Sequence, residues 1–562
     1  MSDKVDLEMR EGLTKLIPTI LDELAVHDPE RLYGELPISP SGYESGFWKV
    51  TFRRLANAVN GTAKWLIDTL GEGEKSETVA FIGPNDMSHI VLTIAAVKAG
   101  YTCLLVSPNY GTIGQAKLIE ATGCKHLLVS PLADLQKRDA IVAEHGNLTS
   151  WILPRITELF DVAHEFPYTK TYEEVKHEPL VLFHTSGTSG FPKPIVYTHE
   201  VIVATGRQRH LARLQGYESA EDIFFKGRIL SVMPAFHVGF QMSGLICAFY
   251  TGSVVVFPPA LMPPSLKAAV HVTEYRPVDC ITFIPANIEE LASNMELQDA
   301  LAGKNVHTLY WGGAPLSQHA GDTVTKRGFN IQTSIGSTET GMWYPIRRTA
   351  DWGSYPWNGM CFHPDNGIDF RPVTEDLYAA IWVKNKDPER VQPVFALFPN
   401  ETEFDAGDLF RHVSGSGTDS VWSWYGRQDD LLVFRSGGKW HPAAAQRRIM
   451  TDHRDLFDQV LIFVYEFAHI AVLVEPSAAI LSKIEEAKQD GGEEAVQKVH
   501  DCVLEKIWPT MEDLDRNAPV FISFDRSRIF FTDRPMPRTA KGTVQRRAAL
   551  QEFESRVQSA QA

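Results

Sequence analysis

No stretch of this sequence approaches the ~18 consecutive apolar residues that a membrane-spanning helix needs. Its start, MSDKVDLEMREG, is charged where a secretory leader would be apolar. These two lacks give the expectation of a soluble, cytoplasmic protein with no membrane partner. Cysteine is sparse: six residues, at 103, 124, 247, 280, 361 and 502, show no paired spacing of the kind found in zinc sites or disulfide frameworks. They read as reduced core residues. The 19 histidines contain no HExxH or comparable ligand spacing, so a transition metal has no support. Positive charge is also short. Lys and Arg number 54 against 70 Asp and Glu, a net charge of −16, which argues against nucleic acid or an anionic membrane as the main partner. An anionic substrate would therefore need a local positive site. No internal repeat is found.

What is present is a polar loop between two apolar runs, LFHTSGTSGFPKPIVYTH at 182–199. Residues 180–183 and 195–197 read as strands, and Pro192 and Pro194 forbid a helix between them. Glycine-rich turns expose successive backbone N–H groups to an anion. Thr185, Ser186, Thr188 and Ser189 add hydroxyl donors around Gly187 and Gly190, and Lys193 adds a charge. The ligand this fits is a polyphosphate; the plainer alternative is a surface hairpin. The nucleotide P-loop pattern does not apply, because it needs Gly-Lys-Ser/Thr opening a helix, and Phe191 and Pro192 stand between Gly190 and Lys193.

A chain of 562 residues is long enough for about three or four domains of ~150 residues, or for fewer and larger α/β units. Apolar residues at 52, 55, 59, 63, 66, 67 and 70 predict a helix, and 79–82 a strand. Helices follow at 86–98, 113–122 and from Leu132, with strands at 103–106 and 126–129 between them. Further strands are expected at 230–233, 254–257, 280–284 and 308–311. This alternation implies an α/β fold with mostly parallel sheets flanked by helices. Near residue 426 the texture changes to short strands at 460–464 and 471–474, an acidic helix at 478–508 and a polar helical end. The expected division is a large domain over 1–426 and a small α+β domain over 427–562.

Five further segments line up with the loop: PAFHVGF (234–240), WGGAP (311–315), IGSTETG (335–341), FDAGDLF (404–410) with YGRQDD (425–430), and PRTAKGTVQRR (537–547). In this order and spacing they resemble the adenylate-forming superfamily of acyl-CoA synthetases, luciferases and adenylation domains of nonribosomal peptide synthetases. In detail the chain looks most like the adenylation domain of fungal synthetase-like enzymes, carboxylic acid reductases included. The resemblance implies a large acyl-adenylate-forming domain followed by a small, mobile one. It implies a ligase that uses ATP and Mg²⁺ to turn a carboxylate into an acyl-adenylate, then passes the acyl group to a pantetheine thiol.

Such chemistry brings anions together, so positive charge and donors must stand where charge builds up in the transition state. By resemblance the loop from Thr185 to Lys193 cradles the β- and γ-phosphates, and Thr338 and Glu339 contact the α-phosphate and ligate magnesium. A solvated carboxylate is the plainer reading of Glu339. Gly312, Gly313, Ala314 and Pro315 would wall the adenine, Asp408 would accept from both ribose hydroxyls, and Arg427 would contact ribose or phosphate. Where relatives often stack an aromatic ring on adenine, this chain has Ile335. Lys541 matches the catalytic lysine that bridges carboxylate and α-phosphate oxygens, within a frame of Pro537, Thr539, Ala540 and Gly542. Asp429 falls at the hinge position, and Gly437-Gly438-Lys439 replaces the common Gly-Glu-Lys.

Amino-acid-activating relatives hold the substrate amine with an aspartate where this chain has His237 and Val238. A buried ammonium without a carboxylate partner is costly, so an α-amino acid is disfavoured. His237 would orient the acid's carboxylate or be a satisfied core histidine. Phe240, Asn287, Ser334, Gly336, Met342 and Trp343 complete the expected pocket, which suits an aryl or arylpyruvic acid best. GTDS (417–420) imitates a carrier's phosphopantetheine site and YEEVK (172–176) a reductase motif, but neither sits in the context it needs. The expected partner is a phosphopantetheinylated carrier domain downstream in the same protein. The alternatives are a freestanding acyl-CoA ligase and a nucleotide-binding pseudoenzyme.

Overall fold

The computed structural model describes residues 14–561 apart from 75, 187–191, 208–210, 212, 220–226, 350–355, 387–391, 435–438, 466–468, 518–521 and 539–543. The chain divides into two compact units. One comprises Met1–Asp369, Ile381–Phe404 and Val413–Trp422; the other comprises Phe370–Ala380, Asp405–His412 and Ser423–Ala562.

The first unit contains two sheets of mainly parallel strands. One runs, in spatial order, Thr149–Ile152, His126–Val129, Glu77–Ile82, Tyr101–Leu105, Pro179–Ser186 and Pro192–Thr198. All its pairings are parallel except the last. Tyr101–Leu105 and the helix Ser88–Lys98 are buried at every position, as happens where a parallel sheet is covered on both faces. The other sheet runs Ile331–Thr333, Thr308–Trp311, Cys280–Phe283, Arg228–Ser231, Val254–Val256, Leu32–Ser39 and Gly42–Thr51. Only its last pair is antiparallel. Leu230, Ile281, Phe283, Leu309 and Ile331 carry its core against Leu266, Ile288 and Val324.

The second unit has a three-stranded sheet in which Phe457–Tyr465 pairs antiparallel with His469–Pro476, which pairs parallel with Ile529–Phe531. Helices Ala443–Asp452 and Ala478–Asn517 pack on it through Ile449, Ile507 and Met511. The long helix breaks at Gly492, whose φ of 64° is left-handed. No described helix is long and apolar enough to cross a membrane.

Several elements depart from the periodicity reading. One helix begins at Leu135 rather than 132, because the Asp134 carboxylate accepts from the N–H groups of Gln136 and Lys137 and caps it there. The hairpin of Leu32–Ser39 and Gly42–Thr51 breaks its alternation with Gly34, Pro37 and Gly46. Met242–Thr251 is a π-helix that is apolar on nearly all sides, so it shows no face to detect. All six cysteines are free, but only five are buried; Cys502 lies exposed on the long helix.

One buried charge ties the first unit together. The ammonium of Lys98, with no exposed side-chain surface, donates to Asp22 Oδ1 at 2.5 Å, Asn60 Oδ1 at 2.9 Å and the Phe166 carbonyl at 2.8 Å. Asp22 Oδ2 accepts in turn from the Tyr168 N–H. All three ammonium protons are used, and the bonds join three helices to the segment that follows them in the chain. Lys98→Met should lower the unfolding free energy of this unit by about 3 kcal/mol, the usual cost of breaking a buried pair from one side. Adding Asp22→Asn should recover part of that loss, a non-additivity that urea titration of the single and double variants would measure.

Candidate active site

The polar loop closes an antiparallel hairpin in which Thr185 pairs with Lys193 and Ser186 with Pro192. Gly187, Thr188, Ser189 and Gly190 lie outside the described residues, between these two anchors. Pro192 and Pro194 are tolerated because their strand is the edge of its sheet, and positions two apart aim their missing N–H groups to the same, outer side. Thr185 is half-buried and Lys193 exposed. Next to Thr185, His184 Nε2 accepts the Ser107 N–H at 3.1 Å, and its ring stacks on Phe236 at 5.6 Å and 17°. That bond places the ring's proton on Nδ1, which lies 3.4 Å from the Tyr110 hydroxyl. On the outgoing strand the Tyr197 hydroxyl donates to the Thr338 carbonyl at 2.7 Å.

Thr338 and Glu339 occupy a tight turn between Gly336–Ser337 and Gly341–Met342. Ser337 Oγ accepts from the N–H groups of Glu339 and Thr340, and the Trp343 indole donates to Thr340 Oγ1 at 2.9 Å. Gly341 adopts a φ of 66°, and a Cβ on Gly336 would stand 2.7 Å from the Gly341 carbonyl, so both glycines are structural requirements of this turn. Thr338 is buried, and the half-buried Glu339 carboxylate has no hydrogen bond or ion pair among the described residues. An unpartnered oxygen donor on a rigid turn fits a magnesium ion carried by phosphate. No group of three His, Cys, Asp or Glu side chains able to hold a metal occurs among the described residues.

After the strand Thr308–Trp311, Gly312 is buried, with its Cβ position 3.2 Å from the Ser334 carbonyl; Gly313 takes a φ of 90°, and Pro315 is exposed. Such a backbone lets a flat ring approach without side chains in the way. His237 Nδ1 accepts from the Gly239 N–H at 3.0 Å and caps the helix Val238–Gln241, which leaves Nε2 as the proton-bearing nitrogen. Asn85, missed by the sequence reading, pins this segment: its side chain accepts from the Ala235 N–H and donates to the Met233 carbonyl. Its only signal was a polar residue in the GPND turn. Val238 and Met342 are half-buried. Phe240 is wholly buried near Phe257, Asn287 Oδ1 accepts from Ile284 N–H at its own helix start, and Ser334 donates to the Trp343 carbonyl. Trp343 is packed edge-on against Phe362 and Trp382. The two imitating motifs are structural. Asp419 accepts from the Tyr217 hydroxyl, and Thr171 and Glu174 form a capping box on the helix Tyr172–Val175.

In the second unit, Asp408 lies on the strand Glu403–Ser414, next to Val421–Arg427. Its Oδ1 accepts from the Trp424 indole at 2.8 Å, and its Oδ2 lies 3.2 Å from the Arg427 guanidinium. Burial pushes this carboxyl above the usual range, against the opposing pull of Arg427 and Trp424. An ionised carboxylate offers about four lone-pair sites; with two engaged here, two remain, the number a ribose diol needs. Arg427 also donates to the Ala406 carbonyl, across Gly407, whose φ of 68° and absent side chain let the guanidinium pass. Asp429 is exposed, 3.9 Å from the same guanidinium.

Lys541 and its neighbours 539–543 lie outside the described residues. Both flanks are anchored: Arg538 bridges to Val544, the Gln545 N–H donates to the Pro537 carbonyl, and buried Glu475 accepts from Arg538 at 3.1 Å and from the Met536 N–H at 2.9 Å. His441 is another unforeseen partner. Its Nε2–H donates to the Arg427 carbonyl at 2.9 Å, a closeness that Gly426 permits, and burial pulls its pKa down.

Residues 42–365 match the AMP-binding enzyme family, and residues 429–562 match the C-terminal domain of AMP-binding enzymes. The isocyanide synthase-NRPS hybrid crmA of Aspergillus fumigatus is 29% identical over 95% of this chain and 33% of its own length. A carboxylic acid reductase of Neurospora crassa is 27% identical over 97% of this chain and 50% of its own. The chain thus spans a third to a half of the length of these relatives. Among solved structures, the anthranilate CoA ligase AuaEII in complex with anthranoyl-AMP superimposes with a TM-score of 0.68 at 14% identity, covering 98% of both chains. The o-succinylbenzoate CoA synthetase of Bacillus subtilis, in complex with ATP and magnesium ion, gives 0.65 at 16%, covering 95% of this chain and 99% of that one. These structures share the fold of a chain whose sequence places it, over more than half its length, in the family of AMP-binding, adenylate-forming enzymes.

Proposed function

We propose that this chain activates a carboxylic acid, aryl or arylpyruvic in type and not an α-amino acid, as acyl-AMP at the expense of MgATP. The acyl group then passes to the phosphopantetheine thiol of a carrier domain, as in a synthetase-like enzyme or a carboxylic acid reductase. The observation that carries this reading is the Glu339 carboxylate, which has no ionic partner among the described residues and sits on a turn bonded to the strand that leaves the hydroxyl-rich loop.

In this reading Thr185, Ser186, Thr188, Ser189 and Lys193, with the N–H groups of Gly187 and Gly190, bind the β- and γ-phosphates. Thr338 meets the α-phosphate, and Glu339 would hold magnesium, which would supply the positive charge needed where the carboxylate approaches the phosphates. Gly312 to Pro315 receive adenine, while Asp408 and Arg427 receive ribose. His237, with its proton on Nε2, donates to the acid's carboxylate. Val238, Phe240, Asn287, Ser334, Gly336 and Met342 shape the acid's surroundings. Lys541 bridges the attacking and α-phosphate oxygens, so its charge matters most in the transition state. Asp429 is the pivot of a small domain read as beginning at residue 427.

Pyrophosphate release with MgATP across benzoic, cinnamic, arylpyruvic, aliphatic and amino acids tests this. Release with an aryl or arylpyruvic acid, and none with amino acids, is the expected result. Release with amino acids alone would overturn the assignment, and CoA-dependent AMP formation without a carrier would identify a freestanding CoA ligase.

Lys541→Ala should cut the rate about 10²–10³-fold, the range seen when one preorganised transition-state contact is removed. ATP affinity, measured by calorimetry, should change only a few-fold.

Asp408 must be ionised to accept two hydroxyls, so ATP affinity should fall as pH drops through a carboxyl pKa set above the ordinary range by burial. Trp424→Phe removes a donor to the charged form, so that acid loss should begin at higher pH than in the native chain. Asp408→Asn should weaken binding where the native carboxyl is ionised and remove the fall toward acid pH. Titrations of ATP affinity between pH 5 and 8 read all three.

A further inference from the structure

The hairpin that carries the hydroxyl-rich loop also carries a residue to which no motif assigns a role. Tyr197 sits on the outgoing strand, where Lys193, Ile195 and Tyr197 share one face by the period of two. Lys193 is exposed at the loop end and Tyr197 is buried at the far end, about 13 Å along the strand at ~3.3 Å per residue. The Tyr197 ring packs edge-on against Phe183 of the incoming strand, with centroids 4.9 Å apart. Its hydroxyl donates to the Thr338 carbonyl at 2.7 Å, in buried surroundings.

We propose that Tyr197 is a positioning residue: its phenol ties the backbone of Thr338 to the strand Pro192–Thr198 of the phosphate hairpin, so that this strand and the Thr338–Glu339 turn keep one fixed spacing. The inference rests on the assignment of Glu339 to magnesium made above. The geometry allows little slack. The turn is only a few residues long, Ser337 Oγ holds its backbone from one side, and the Trp343 indole holds Thr340. Tyr197 supplies a hold from the hairpin side. The strand that carries Lys193 toward the terminal phosphates and the carboxylate that would hold their magnesium must keep a fixed separation, and Tyr197 supplies the link.

Tyr197→Phe removes one oxygen and keeps the ring packing on Phe183. The test is calorimetric binding of ATP to the full chain, once with excess magnesium and once in EDTA. Magnesium should tighten ATP binding to the native protein, and Tyr197→Phe should reduce that gain about 5–10-fold. ATP in EDTA should bind the variant within about two-fold of native, and the melting temperature should shift by only a few degrees. In a Glu339→Gln background, Tyr197→Phe should cause no further loss of the magnesium gain, because the two changes act on one element. A native magnesium gain in Tyr197→Phe would overturn the proposal, as would equal weakening with and without magnesium, the mark of a merely structural residue. If Glu339→Gln leaves the magnesium gain unchanged, the assignment beneath the proposal fails, and the proposal falls with it.

Discussion

A loop that binds an anion through hydroxyls and backbone N–H groups works only if those donors stay in place when the anion arrives, because each donor that must first be ordered subtracts from the binding it provides. Here the rigidity lies in the strands around the loop. The hairpin of Pro179–Ser186 and Pro192–Thr198 is gripped at His184 by the Ser107 N–H and the Phe236 ring, and at Tyr197 by the Thr338 carbonyl. Two other assigned groups in the first unit connect to that hairpin through these contacts. His237 follows directly on Phe236, and Glu339 on Thr338.

The same logic recurs in the second unit with different parts. A buried carboxylate at Asp408 is kept usable by one indole and one guanidinium, which engage some of its lone pairs and leave others open. Glu475 plays a comparable part just before residue 539: a single buried carboxylate engages both the Met536 backbone N–H and the Arg538 guanidinium. In each case a polar group that would be costly alone in the interior is satisfied by neighbours that also set its direction.

Much of this was legible in the sequence, and the reason is local. The helix over residues 52–70, the strands near 79, 103, 126, 280 and 308 and the two strands that flank residues 187–191 announce themselves through spacing, glycine and proline, which act within a few residues. Those two strands run further, to Ser186 and from Pro192, than the apolar runs at 180–183 and 195–197 predicted. What was not legible depends on residues far apart in the chain. Tyr197 and Thr338 are 141 residues apart, Asn85 and Ala235 are 150 apart, and Glu475 and Met536 are 61 apart. A tyrosine in PIVYTH looks like any buried strand residue until its partner is known. The misplaced helix start at 132 has the opposite cause, since a local cap at Asp134 outweighed the apolar residue before it.

The two prolines that shape the outgoing strand have an effect unrelated to phosphate. Pro192 and Pro194 lie on the last strand of a six-stranded sheet, the place where a second chain would otherwise find a row of free N–H groups to pair with. Proline presents none, and the exposed Lys193 between them adds a charge that a dry strand-to-strand contact would have to bury. At these two positions the margin of the sheet offers no N–H to an added strand, so the residues that bound the hydroxyl-rich segment also disfavour pairing of this edge with a second chain.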